Sequence, residues 1–565
     1  MSDIRYDLIR RVIVRAVLSI NYNIHNDFHK QHEFMQQAIL DDNSLTEEEK
    51  AEAVKKDNKN YDRDKILHNS GTRRICENCN QKCLATLYCE YCIRNYLKAN
   101  FLNWTSGNNE IDNLIRNCQL ETLMPNKIIE WIPYNNLKNI KYLTKGGCSK
   151  IYTANWIGGG YEEWDSKTQQ LERIKRYGIQ NLVSHVILKE LENVENANQR
   201  WFEEAKSHLT MSNKQTAIVN CYGITQNPSN GNYMLVMIAC DMNLREYLRQ
   251  NHNQLTWKER IKIAYEIIRS LYFIHKENSI HRDLHSGNIL YSNHNDGCRI
   301  SDLGFCGPAD RPLTSIYGNL PYIAPEVISE KGYTLKSDIY SIAMLMWEIS
   351  FGQPPFMNYE HDCILALNII DGIRPKIISE IPSKYKSLME QCWDANPLER
   401  PDIYALWEKI KEIKSYYQNN PNELPQLIAK IDKKTSNIFS SKLFTSKIHE
   451  FKNLPEPKNA TKEKQEAFYT SSKSYDFSIS DNSSIFSTIS NQYTSINFKN
   501  RNEDNDKGSS RLSKKLKMEN DIQNYYDEET IQQKPNVDII DEVEVYNNPP
   551  KNKMDWKFLM NDFTN

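Results

Sequence analysis

Three side chains suited to phosphoryl transfer stand close together in the stretch 281–305, HRDLHSGNILYSNHNDGCRISDLGF: Asp283, Asn288 and Asp302. Moving a phosphoryl group onto a hydroxyl asks for little covalent help. It needs a carboxylate that accepts or orients the hydroxyl proton, and oxygen ligands that hold Mg²⁺ on the nucleotide phosphates. Asp283 suits the first task, Asn288 and Asp302 the second. Short apolar segments separate them. Ile280 and Leu284 can anchor the loop carrying Asp283, NILYS reads as a short buried strand, and CRIS reads as another that runs into Asp302.

Elements upstream must complete such a site. The run VSHVILK, 183–189, reads as a strand ending in Lys189, and a charge that closes an apolar strand wants a partner. Further on, ANQRWFEEAKSHL, 197–209, reads as a helix that lays Trp201, Phe202, Ala205 and Leu209 on a sheet. It offers Glu204, with Glu203 as competitor. YMLVMIAC, 233–240, reads as a further strand, and the helix 257–276 leads into the Asp283 loop.

This arrangement resembles the eukaryotic protein-kinase signatures H-R-D-L-x-x-x-N and D-F-G, here HRDLHSGN and Asp302-Leu-Gly304. The resemblance spans residues 137–416 and implies an α+β, bilobal kinase fold, a small β-rich lobe over a large helical one. It implies Asp283 as catalytic base and Asn288 and Asp302 as Mg²⁺ ligands. Lys189 would pair with ATP phosphates and Glu204. Met237, Ala239 and Cys240 would border the adenine, and Ile151 with Gly146 and Gly147 would cover the phosphates. Only the second glycine of the glycine-rich loop matches, in Thr144-Lys-Gly-Gly-Cys-Ser149. Glu326 of Ala324-Pro-Glu326 should pair with Arg400, and Asp338 should brace the catalytic loop from a buried helix. The pattern Cys392-Trp393-x₃-Pro397-x₂-Arg400-Pro401 is similar to the tyrosine-kinase-like and tyrosine-kinase branches. Arg282 beside the base implies control by a phosphorylated loop residue, with Thr314, Ser315 and Tyr317 as candidates.

The implied function is ATP-dependent transfer to protein hydroxyls in intracellular signalling. GNLPYIAPE, 318–326, favours serine/threonine over tyrosine or dual specificity. Against turnover stand the missing glycines and His285, where serine/threonine kinases carry a lysine; a neutral imidazole stabilises charge less. The alternative is a nucleotide-binding pseudokinase scaffold.

Outside this region, Cys76-x₂-Cys79 and Cys89-x₂-Cys92 have the spacing of two zinc knuckles, and a hairpin suits the stretch between them. A structural Zn²⁺ is expected in a module at 71–120, with Cys83 a substitute ligand or a free thiol. Residues 1–70 read as helical, with Ile4, Leu8, Ile9, Val12 and Val17 near one stripe and a capping box at Thr46–Glu49. A polar segment at 155–182 reads as a surface insertion, and the Ser/Asn-rich stretch 418–565 as a largely disordered tail.

A net charge of −2 and mixed charges around the cysteines argue against nucleic acid as a partner. No apolar run is long enough for a bilayer, and membrane association is not expected. Thirteen cysteines, an odd number with eight scattered singly, suit a reducing compartment, cytoplasmic or nuclear. The partners implied are ATP and protein substrates; nothing in the sequence specifies oligomeric state.

Overall fold

The computed structural model describes residues 4–21, 24–145, 149–173, 183–191, 200–214, 218–292, 297–304, 307–308, 316–377, 380–425, 446–451 and 454–471. Gly146, Gly147, Thr314 and Ser315 lie outside the described residues, as does the tail beyond 471.

Helices α1 (Tyr6–Ser19), α2 (Phe28–Leu40) and α3 (Glu47–His68) pack around Ile9, Val12, Met35, Ile39 and Ala53. The capping box forms: the Glu49 N–H donates to Thr46 Oγ1 at 3.3 Å, and the Thr46 N–H to the Glu49 carboxylate at 2.9 Å. Val17 does not join the inward stripe and is 40% exposed. Ala16, four residues after Val12, takes that place because side chains i and i+4 share a helix face.

Strands β1 (Arg74–Ile75) and β2 (Lys82–Cys83) form a hairpin that carries the first knuckle, and α4 (Glu90–Ala99) starts from Cys89 as its N-cap. Next come α5 (Asn109–Leu120), β3 (Glu130–Trp131), β4 (Leu137–Lys145), β5 (Ser149–Ile157), β6 (Tyr161–Asp165), β7 (Gln170–Arg173), β8 (Val183–Leu191), α6 (Arg200–Lys214), β9 (Cys221–Gln226) and β10 (Tyr233–Ile238). The N-lobe sheet has the order β3-β9-β10-β8-β5-β4. β3 runs parallel to β9; the other pairs are antiparallel.

Two segments differ from expectation. Within the 155–182 stretch, residues 161–173 are not a free surface insertion: β6 and β7 pair Trp164 with Leu171, and both are buried against Cys76, Tyr88, Ile93 and Leu97. Lys55 and Lys59 of α3 bind Glu163 at 2.8 and 3.0 Å. One cross-strand apolar pair, with charges on its flanks, is enough to dock a polar hairpin. Meanwhile α5 shares a core with the N-lobe, where Ile111, Leu114 and Ile115 meet Leu191, Ala205, Leu209 and Tyr233.

The C-lobe follows through β11 (Met242–Asn243), α7 (Leu244–Asn251), α8 (Trp257–Lys276), β12 (Ser279–Ile280), β13 (Ile289–Ser292), β14 (Gly297–Ile300), β15 (Gly307–Pro308) and β16 (Ile316–Gly318). It continues with α9 (Pro325–Ile328), α10 (Leu335–Phe351), α11 (Cys363–Ile370), α12 (Ser383–Cys392) and α13 (Ile403–Asn419). Helix α10 is apolar almost all round and runs buried through this lobe. The stretch after 418, read from its composition as a largely disordered tail, contains regular structure. Residues 446–471 form β17 (Lys447–His449) and α14 (Lys462–Ser471), and bury Phe451 on the C-lobe with Leu454, Ala460 and Phe468 partly covered. A segment laid on an existing surface needs far fewer apolar residues than one building its own core. No helix among the described residues is long and apolar enough to cross a membrane.

Candidate active site

Lys189 leaves the sheet on β8, opposite Ile151 of β5 and Leu235 of β10. Its Nζ lies 2.6 Å from Glu204 Oε1 on α6 and 2.5 Å from Asp302 Oδ1. Burial opposes the ammonium charge, but the Asp302 and Glu204 carboxylates raise the Lys189 pKa above its ordinary value. Burial likewise opposes ionisation of Asp302, and Lys189 overcomes it, holding this carboxyl well below the usual range. Glu204 can come this close because position 304 is glycine: a Cβ there would stand 3.0 Å from the Glu204 carboxylate. Helix α6 thus delivers Glu204 as expected.

Asp302 has φ +57° and Arg282 φ +71°, so both sides of the site hold a non-glycine residue in the left-handed region. The surroundings fix each. Leu303 is fully buried and its N–H donates to His208 Nε2 at 3.2 Å. The Arg282 N–H donates to Asp338 Oδ1 at 3.0 Å, and the His281 N–H to Asp338 Oδ2 at 2.8 Å. His275 Nε2 of α8 donates to the same oxygen at 2.8 Å, so Asp338 of α10 braces the loop through two bonds and ties it to α8 through a third. His281 adds a cross-tie from its Nε2 to the Ser301 carbonyl at 3.0 Å. Further out, Glu326 and Arg400 form a buried two-point pair, both contacts 2.7 Å.

Asn288 Nδ2 donates to the Asp283 carbonyl at 2.8 Å and to Asp283 Oδ2 at 3.3 Å, which leaves the amide oxygen for a cation. Burial pushes the Asp283 carboxyl up to about 7, opposed by the bonds from Ser446 and Asn288 and aided by the Asp302 charge. A base poised near neutrality suits proton acceptance from a hydroxyl.

His285 does more than fill the place of a lysine. Its Nδ1 accepts the Gly287 N–H at 3.0 Å, so the ring proton sits on Nε2. Burial and the nearby Arg245 keep the imidazole neutral, well below its ordinary pKa. Nε2 faces Ser446 Oγ at 3.0 Å, and that hydroxyl in turn lies 2.7 Å from Asp283 Oδ1.

Of the expected nucleotide contacts, Met237 is buried on β10, and Ala239 and Cys240 are half-buried just beyond it. Ile151 is half-buried beside the Lys189 strand. Tyr317, a candidate phosphorylation site, is buried in β16, and its N–H donates to Tyr333 Oη at 3.0 Å. His208 and Ser446 were not expected in the site. A histidine three residues after an apolar helix position carries no local signal for this role, and Ser446 lies 163 positions from Asp283.

The sulfurs of Cys76, Cys79, Cys89 and Cys92 come within 4.8 Å of one another. Cys76–Cys92 and Cys79–Cys89 are each 3.6 Å apart, close to the roughly 3.8 Å edge of a tetrahedron with Zn–S bonds of about 2.3 Å. Burial opposes ionisation of Cys76, but the N–H groups of Cys79 and Asn78 bring its thiol down to about 7. Burial pushes Cys92 up to about 12. Cys83 is fully buried and its thiol donates to the Arg74 carbonyl at 3.5 Å.

Residues 138–410 match the family described as protein tyrosine and serine/threonine kinase. The dual specificity protein kinase zakA of Dictyostelium discoideum is 31% identical over 199 residues, 32% of this chain and 26% of that protein. The serine/threonine-protein kinase STY17 of Arabidopsis thaliana is 28% identical over 171 residues, 30% of each chain. A human dual serine/threonine and tyrosine protein kinase is 30% identical over 218 residues, 38% of this chain and 23% of that protein. In these three relatives the match covers less than a third of their length. With the bilobal fold and the ion-paired lysine already described, residues 138–410 form a protein kinase domain of this tyrosine and serine/threonine kinase family.

Proposed function

We propose that the chain is an ATP-dependent protein kinase acting on serine and threonine hydroxyls in intracellular signalling. The observation that carries this reading is Lys189 within 2.6 Å of both Glu204 and Asp302. That arrangement holds a cation where nucleotide phosphates must lie, and Asp283 adds the base that transfer, unlike nucleotide binding alone, requires. Asp283 accepts the proton of the attacking hydroxyl and the Nε2–H of His285 donates to that oxygen, a reading supported by Ser446 Oγ, which stands in for such a hydroxyl between the two. The family implies ATP and Mg²⁺. An Asp carboxylate and an Asn amide oxygen are a fitting oxygen donor set for Mg²⁺, which supplies charge neutralisation on the phosphates when bound. Ile151, Met237, Ala239 and Cys240 line the place for the base.

The four-cysteine cluster supports a structural Zn²⁺ held by Cys76, Cys79, Cys89 and Cys92, closing the hairpin onto α4. The thiols support a reducing compartment, the cytoplasm or nucleus, as the place of action.

Purified chain incubated with Mg²⁺, labelled ATP and casein tests the enzyme reading, with Asp283→Asn as control. Phosphoserine or phosphothreonine on casein that requires Asp283 is expected. ATP binding with no label above the control would sink the reading in favour of a scaffold.

A further inference from the structure

The stretch 446–451 crosses the mouth of the active site. Its first side chain enters that site: Ser446 Oγ is 2.7 Å from Asp283 Oδ1 and 3.0 Å from His285 Nε2. The backbone that follows is held as an added strand. β17 runs antiparallel to β16, pairing Gly318 with Lys447, Tyr317 with Ile448 and Ile316 with His449. Strand addition to an exposed edge is a general way to bind an extended peptide. His449 Nε2 donates to the Gly318 carbonyl at 3.1 Å, and Phe451 is 8% exposed in the C-lobe core.

Downstream contacts anchor this strap. The Lys458 N–H donates to the Ile370 carbonyl at 3.0 Å, and Lys458 and Lys464 each lie 3.0 Å from Asp371. Gln465 Nε2 donates to the Gly372 carbonyl at 2.8 Å, and Tyr469 Oη to the Arg374 carbonyl at 2.6 Å. The chain passes so close to Gly372 that a Cβ there would stand 2.2 Å from the Ala460 nitrogen. This close approach, with the hydrogen bonds and ion pairs around it, fixes the register of the segment that presents Ser446.

We infer that Ser446 is a phosphoacceptor of this chain's own active site, presented in cis by the 446–471 strap docked where a protein substrate must lie. The inference rests on the kinase reading above. In the reaction, Ser446 Oγ attacks the γ-phosphorus of ATP. The Oγ–P bond forms, the bond from that phosphorus to the β,γ-bridging oxygen breaks, ADP leaves with the electron pair, and the Oγ proton passes to Asp283. While Ser446 occupies this place, no other hydroxyl reaches Asp283. Once modified, its phosphate oxygens stand beside the Asp283 carboxylate and like charge drives the strap off.

The test uses the full chain with Mg²⁺, ATP and casein, and reads phosphorylation sites by mass spectrometry. Phosphate on Ser446 is expected, at a rate unchanged over roughly a hundredfold dilution, because dilution does not alter the effective concentration of a tethered acceptor. Ser446→Ala should lose that site. Nucleotide-free chain should show slow amide exchange at 447–449, lost in Phe451→Asp, which unseats the strap without touching the catalytic residues. Casein phosphorylated to completion with Ser446 unmodified would overturn the inference and leave the kinase reading standing. Phosphate on Ser446 of an Asp283→Asn copy mixed with wild type, at a rate rising with concentration, would overturn presentation in cis. Label on neither casein nor Ser446 would bring down the kinase reading and this inference with it.

Discussion

At Gly287 an added methyl group would stand 2.7 Å from His285 Cε1 and 2.9 Å from Nδ1, so the imidazole can fold back onto its own turn only because this residue is glycine. Gly287→Ala should therefore swing Nε2 off the acceptor hydroxyl. The expected result is a fall in kcat of about tenfold or more, on the scale of a mispositioned catalytic group, with KM for ATP unchanged. Steady-state kinetics that moved only KM would contradict this. His208 makes a second prediction. Burial, with the Lys189 charge adding to it, lowers its pKa to about 3, against 6.5 for an ordinary histidine. The unfolded chain binds that proton first as pH falls, so stability is full above about 6.5 and declines below it, by up to about 1.4 kcal/mol per pH unit until about pH 3. Urea midpoints at pH 7 and 5.5 should converge in His208→Gln relative to wild type. Asp283, Asn288 and Asp302 were legible in the sequence because phosphoryl transfer demands those residue types and they stand at short spacings, and Lys189 because it closes an apolar strand with a charge. Glu204 was separable from Glu203 by its spacing from the aromatic pair Trp201 and Phe202. The tautomer of His285 was not legible, because a backbone N–H two residues on sets it.

Helix α5 and the β6–β7 hairpin tie the N-terminal region to the kinase domain. Ile115 is fully buried among side chains of α6, the helix that carries Glu204. Ile115→Asp should cost about 4 kcal/mol, the loss of a buried aliphatic group plus a carboxyl without water, and should weaken the Lys189–Glu204 pair. Leu120→Asp, at a position 40% exposed on the same helix, should stay within about 0.5 kcal/mol. Denaturant unfolding of the two variants checks the contrast. Zinc makes a separate prediction here: one Zn²⁺ per chain, lost with Cys92→Ser or a chelator, together with the slow amide exchange of 74–92. Metal analysis showing no zinc in the purified chain would refute it. The amphipathic pattern made α6 readable as a helix, whereas α5 fell inside the stretch 71–120 that was read only as a zinc module. That α6 lies on a sheet was readable too; what the apolar face of α5 meets was not, because a stripe of Ile and Leu fits any partner face. Trp164 and Leu171 were hidden for a similar reason, two apolar residues in a polar run that become one buried pair only across a hairpin.

Across the whole molecule, the family boundary and the physical boundary fall in different places. A chain beginning at residue 137 lacks α5 and β3 and uncovers the faces of Ala205, Leu209 and Tyr233. Each fully buried Ile or Leu so removed is worth about 1.5–3 kcal/mol, so this chain should melt well below one beginning at residue 105. Calorimetry of the two would show it. Composition marked the stretch after 418 as poor in apolar residues, which is correct as a count; a strap that borrows the C-lobe surface shows little of itself in composition. A working phosphoryl-transfer site, rather than a nucleotide-binding scaffold, is tested most directly by a single-turnover quench with labelled ATP and Mg²⁺, alongside an ATP-binding titration. Wild type should convert bound ATP to ADP and phosphoserine, while Asp283→Asn binds ATP equally well and transfers it about a hundredfold to ten-thousandfold more slowly. Equal binding by both with transfer by neither would contradict it.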